Sequence, residues 1–190
     1  MRKVHLLHLL LPAALLLAGC DKIDFGDDSI TQTNAQGQQT GAVDDSDWTT
    51  DASWSKREAE LFPDLPFSFA GPTSPRIAAP QFLLYPNPAP KHVVFAVALF
   101  PGATESIRAR VHFAIVDRAY RVQQRGTLYA ENSLYSSLPG YTLRLGLALD
   151  QDKLKKGKTY RMYYVLADQH PDAASPSFLA KGHGDIKISR

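Results

Sequence analysis

The stretch YTLRLGLAL, Tyr141–Leu149, alternates more regularly than any other part of this chain. Leu143, Leu145, Leu147 and Leu149 fall on one side, and Thr142, Arg144, Gly146 and Ala148 on the other. A period of two marks a half-buried strand, because successive side chains of extended backbone point to opposite faces. The same period recurs on both sides of this stretch. RARVHFAIV (108–116) places Val111, Phe113 and Ile115 together and Arg108, Arg110 and His112 opposite, where His112 is expected to be exposed. TYRMYYVLA (159–167) groups Tyr160, Met162, Tyr164 and Leu166. HVVFAVALF (92–100) is apolar on both faces, which suits a central strand. QFLLY (81–85) and RVQQRGTLY (121–129) add two further strands, and SFLAKGHGDIKIS (177–189) adds one or two short ones around Gly182 and Gly184. About seven or eight strands separated by turn signals, with no helical run among them, predict a single antiparallel β-sandwich over residues 81–190. That length suffices for one core and not for two.

The residues before this domain read differently. Ser55-Lys56-Arg57-Glu58 has the spacing of a capping box, which predicts a short helix from Lys56 to about Phe62, ended by Pro63. SFAGPTSPRIAAP (68–80) carries three prolines and reads as irregular, so residues 47–80 form a helix-containing linker. Residues 20–46 are rich in Asp, Gln, Thr, Gly and Ser, with Ile23, Phe25, Ile30 and Val43 as the larger apolar side chains. Such a composition predicts a disordered tether. A flexible segment of roughly 25 residues would span about 25–30 Å.

At the start of the chain, Arg2 and Lys3 precede an apolar run, Val4–Gly19, that is too short and too interrupted by His5, His8 and Pro12 for a stable membrane span. This is the layout of a signal peptide. It ends in Leu17-Ala18-Gly19-Cys20, and Cys20 is the one cysteine present. The tetrapeptide resembles the lipobox of bacterial lipoproteins. The resemblance implies cleavage between Gly19 and Cys20 and lipidation of Cys20, so that residues 1–19 are removed and acyl chains bind the protein to a membrane. Each buried methylene contributes about 0.8 kcal/mol, and two chains hold stably where one does not. The implied address is the cell envelope, with the outer membrane favoured, surface display included, and the inner membrane as the alternative. A single cysteine also provides no disulfide framework.

A second resemblance lies in Tyr85-Pro86-Asn87-Pro88-Ala89, which is similar to the opening of the immunoglobulin-like modules that end proteins exported by type IX secretion. It implies an immunoglobulin-like sandwich. The two prolines withhold amide donors, which suits a sheet edge, and Tyr85-Pro86 is a candidate cis bond.

Charge is unevenly distributed: residues 21–53 carry eight Asp against one Lys, and the rest of the chain is mildly basic. Neither the excess nor the address favours nucleic acid as a partner. His92, His112, His170 and His183 lack the i, i+4 spacing of helical zinc sites. His183-Gly184-Asp185 is the most site-like cluster, although its glycines also suit a bulge or tight turn. Asp150, Asp152 and Asp168 are candidates for a calcium site at one end of the sandwich. Ser133, Ser136 and Ser137 have no histidine–acid partner at a recognisable spacing. Trp48 and Trp54 offer a sugar platform or pins for the linker, and Tyr129, Tyr135 and Tyr141, near Glu131 and Asn132, offer stacking surfaces. No cofactor, metal site or catalytic group is expected. The residues thus favour a membrane-anchored, non-enzymatic binding or assembly module acting on an unknown envelope protein or glycan. A glycan-binding surface lipoprotein is the first alternative. A hydrolase or metal-dependent enzyme with its site assembled from separate loops is the second.

Overall fold

A computed structural model describes residues 22–25, 30–101, 107–129, 141–169 and 175–190. Among these residues eight strands appear in chain order: β1 (Thr49–Thr50), β2 (Ile77–Tyr85), β3 (His92–Pro101), β4 (Ala109–Val116), β5 (Val122–Tyr129), β6 (Tyr141–Ala148), β7 (Thr159–Asp168) and β8 (Ser177–Lys187). They form two antiparallel sheets, one ordered β1-β8-β7-β4-β5 and one ordered β2-β3-β6. The fold is all-β.

The alternation that predicts the strands also sets their faces. In the smaller sheet, Phe95 and Val97 of β3 lie opposite Leu145 and Leu143 of β6. Their side chains meet Val111, Phe113, Ile115, Met162, Tyr164 and Leu166 of the larger sheet in one core. Tyr164 sits at the contact, with ring centroids 4.6 Å from Phe82 and 5.2 Å from Phe95. Strand β3 lies between β2 and β6, as its two apolar faces require. Strand β2 is an edge, interrupted by a bulge between Ala78 and Gln81. The Tyr85-Pro86 and Asn87-Pro88 bonds at its end are both cis.

Strands β4, β7 and β8 of the larger sheet are covered on both faces, while β5 stays partly exposed. The sheet's outer face packs Ala114, Val116, Tyr163 and Val165 against Ile23, Leu61 and Phe62, with Trp54, Phe67 and Phe69 around them. His112 is consequently half-buried, not exposed. The helix α1 (Lys56–Ala59) carries the predicted capping box: Ser55 and Glu58 satisfy each other's amides. It is shorter than expected, because the next turn closes by Leu61 N–H to Glu58 and Phe62 N–H to Ala59, a tighter winding that ends at Pro63.

Of the expected disordered tether, residues 22–25 and 30–46 are described, and these are tied to the fold. Ile23, Ile30, Thr31 and Thr33 are buried. Residues 32–42 fold back on themselves, with Gln32 N–H to Ala42 and Thr40 N–H to Gln32, around a turn at Gly37 (φ +79°). Thr33 bridges to Asn87 beside the cis-proline turn. Beyond these internal bonds, Thr31 and Thr33 find partners far along the chain, in Asp47, Leu84 and Asn87, so local composition does not reveal the packing.

Candidate functional site

The outward side chains of β8 organise the residues singled out above. Lys181, His183 and Asp185 alternate with Gly182 and Gly184, which face inward. Asp185 is buried and receives both arms of Arg161, Nε at 2.7 Å and Nη2 at 2.8 Å. Its backbone N–H donates to Asp47 Oδ1 at 2.8 Å, and Thr31 N–H donates to the other Asp47 oxygen at 2.8 Å. Burial, with the Asp185 charge nearby, pushes the Asp47 carboxyl up to about 7 despite those donors. Burial also raises Asp185, although Arg161 opposes the shift. His183 Nδ1 lies 2.8 Å from Asp51 Oδ2. Lys181, only 1% exposed, donates Nζ to the carbonyls of Gly71 (2.8 Å), Phe69 (3.0 Å) and Ala52 (3.3 Å). Burial lowers its pKa. The row therefore fastens the preceding segment and the linker onto the sheet.

The glycines have a different role from the expected bulge or turn. Strand β8 runs unbroken through both. A side chain on Gly184 would overlap the Trp48 ring, and one on Gly182 would meet the Thr49 carbonyl and the Tyr164 hydroxyl. The glycines thus admit Trp48 to the core, where it lies 5.8 Å from Phe95 and stacks 6.3 Å from Tyr164. Its indole N–H is buried and has no hydrogen-bond partner among the described residues.

Trp54 belongs to the other face of the same sheet. It stacks on Phe62 at 5.5 Å and donates its indole N–H to Asp51 at 2.6 Å. The two tryptophans do not form a shared platform. Tyr129 is exposed, with the Arg110 guanidinium 5.2 Å from its ring. Gly19, Cys20, Tyr135 and the serines Ser133, Ser136 and Ser137 lie outside the described residues, and Tyr141 is described by its backbone alone. Asp168 pairs with Arg76 at 2.8 Å at the far end of β7, whereas Asp150 and Asp152 precede the start of that strand, so the proposed calcium triad is separated. Among the described residues no three His, Cys, Asp or Glu side chains are placed to hold a metal ion.

Three concavities are lined by the described residues. A cleft of about 720 Å³ runs from Trp48 and Thr49 past the β2 bulge onto Ala96, Ala98 and Thr142. A groove of about 380 Å³ lies between Pro63–Pro66 and the β4–β5 surface at His112, Arg125 and Thr127. Within it, His112 Nδ1 meets the Thr127 hydroxyl at 3.1 Å, and burial followed by the Arg110 charge lowers the imidazole pKa. The third, about 670 Å³, lies where the described chain begins. It is lined by Lys22, Arg118, Arg121 and Lys158, with Phe25 and Tyr160 as apolar wall. Among the described residues that line it, Asp117 is the acid. Against the effect of burial, donors on Arg121 and Ala119 hold that carboxyl below its ordinary pKa. Its members come from three separate stretches, so no local run of sequence announces the group. Lys155-Lys156-Gly157-Lys158 reads only as a turn.

No family model matches the chain, and no curated protein matches it.

Proposed function

We propose that this chain is a bacterial envelope lipoprotein whose folded part is a non-catalytic binding or assembly module held at a membrane by acyl chains on Cys20. The observation that carries the reading is Leu17-Ala18-Gly19-Cys20 at the end of an apolar run. The geometry supports it: Lys22 is exposed while Ile23 is buried, so a lipid attached two residues before Lys22 would stand outside the fold. No helix among the described residues is long and apolar enough to cross a membrane, and the anchor assigned here does not require one.

The folded part reads as an immunoglobulin-like β-sandwich. Setting β1 aside, the first, second and fifth of the remaining strands share one sheet and the third, sixth and seventh the other, as in that architecture, whereas the fourth, β5, pairs with β4 in the second sheet and not with the first group. Tyr160, second residue of β7, receives the Lys155 N–H at 2.9 Å, which resembles the tyrosine that closes the corresponding corner of such sandwiches. Confinement at the bilayer raises the local concentration of the module near envelope partners, and that is its proposed mode of action.

The test is mass spectrometry of the protein purified from cells, with Cys20→Ser alongside. Acyl mass on a chain that begins at Cys20, and loss of detergent partitioning in the variant, are the expected results. A native mass without fatty modification, together with a variant that still fractionates with membranes, would remove the reading.

A further inference from the structure

The concavity at the start of the described chain has a composition distinct from the other two. Four cations converge on it: Lys22 from the first residues, Arg118 and Arg121 from the β4–β5 turn, and Lys158 from the turn before β7. Arg121 is held by Asp117 at 2.7 Å, and Arg118 lies 3.6 Å from Asp24. Lys22 and Lys158 make no ion pair among the described residues, and Lys156, two residues before Lys158, is exposed. Phe25 and Tyr160 give the same concavity an apolar wall, with the Arg161 guanidinium 5.7 Å from the Phe25 ring. Cations around a polar mouth and aromatic carbon along one side fit a phosphate ester joined to something greasy.

The position of this concavity decides which phosphate. Lys22 stands two residues after Cys20, and two extended residues span at most about 7 Å. Nor is there slack beyond that point. Ile23 N–H donates to the Arg118 carbonyl at 2.8 Å, and Arg118 Nε donates back to the Ile23 carbonyl at 3.0 Å. A lipid on Cys20 would therefore hold this end of the domain against the headgroups. Resting on the lipoprotein reading above, we infer that the concavity formed by Lys22, Arg118, Arg121 and Lys158 binds the phosphate of an anionic phospholipid headgroup, seating the domain end-on against the bilayer. The acids of this end among the described residues are Asp24 and Asp117, both ion-paired, with Asp150 and Asp152 on the same β6–β7 connection as Lys158, where Asp150 pairs with Lys153. Asp21, Asp27 and Asp28 also belong to this part of the chain and lie outside the described residues.

The experiment reconstitutes the purified full-length protein into vesicles of phosphatidylcholine, with and without phosphatidylglycerol, and measures amine labelling of individual lysines by mass spectrometry. Lys22 and Lys158 are expected to be protected severalfold in the anionic vesicles, with protection lost at high salt. Lys56, 90% exposed on α1, is the internal control and should label equally in both. In Lys22→Gln/Lys158→Gln, two exposed positions whose change leaves the core untouched, affinity for anionic vesicles should fall about fivefold per lysine. Equal labelling in both vesicle types overturns headgroup binding and leaves the lipid anchor intact. Protection by inorganic phosphate in neutral vesicles, matching that in anionic ones, overturns the lipid as occupant. If the mass shows no acyl group, the lipoprotein reading fails separately. The same labelling with protein added to preformed vesicles then decides headgroup binding: protection supports it and its absence ends it.

Discussion

Trp48 reaches the core because Gly184 offers no side chain to stop it. Alanine at Gly184 puts a methyl into the indole ring, and the backbone there is ordinary extended strand, so the cost is overpacking and not dihedral strain. Such insertions cost about 1–3 kcal/mol. Gly184→Ala should lower the urea midpoint accordingly and shift tryptophan emission as Trp48 is displaced; an unchanged midpoint would place the indole elsewhere. Asp47 gives a second residue-scale prediction, this one in pH. Its folded pKa, about 7, lies above the ordinary 3.8, so the folded state holds the proton more tightly than the unfolded one. The resulting stability is complete below about pH 4 and is lost as pH rises through 7, on the order of 2–4 kcal/mol. Asp185, raised in the same direction by burial, adds to the trend. Denaturant midpoints should fall from pH 5 to pH 8. Asp47→Asn should flatten the slope while lowering the value at pH 5, because the amide has one acceptor oxygen for the two N–H donors of Thr31 and Asp185. A wild-type midpoint independent of pH would show that Asp47 is not buried as described.

Strand β8 is the element on which the attachments converge, and Lys181 fixes the linker to it. Its ammonium lies among the carbonyls of Ala52, Phe69 and Gly71, so methionine there keeps the stem and leaves those carbonyls without their donor. Hydrogen bonds to a charged group contribute about 1.5–3 kcal/mol. Lys181→Met should lose about that much stability, and amide exchange should rise first around residues 69–71; exchange rising uniformly would argue against a local clasp. The elements also show what the sequence makes legible. Strand β6 declares itself and its inward face, because Leu143, Leu145, Leu147 and Leu149 carry the whole signal locally. Strand β1 does not. Thr49 and Thr50 have no period to read, and they are extended because β8 presents a free edge at His183 and Gly182. The two tryptophans stand out by type, yet the face each occupies depends on contacts with β8 and with Phe62. The basic concavity was illegible for the same reason: no single stretch contains more than two of its four cations.

For the whole molecule, the unexpected order of residues 30–46 changes what counts as the domain. Sequence pattern places the start of the fold near Gln81, after a helical linker and a flexible lead. In the structure that lead is part of the core's covering. Ile23 closes one side of the outer aromatic cluster, Ile30 is buried, and the Asn87 side chain donates to the Thr31 carbonyl at 3.2 Å and to the Asp185 carbonyl at 2.9 Å. Fully burying an isoleucine contributes about 1.5–3 kcal/mol, and Asp47 loses the Thr31 donor when the lead is removed. A chain beginning at residue 46 should therefore be less stable than one beginning at Lys22 by on the order of 5 kcal/mol, a large share of the roughly 5–15 kcal/mol that holds a domain together. Thermal melts of the two should differ by about 10 °C or more. Equal melting temperatures would restore the flexible lead and, with it, a domain free to stand off from any surface its first residue touches. If the difference is found, the anchor and the fold are joined without slack. A lipid at Cys20 then fixes distance and also which end of the molecule meets the membrane.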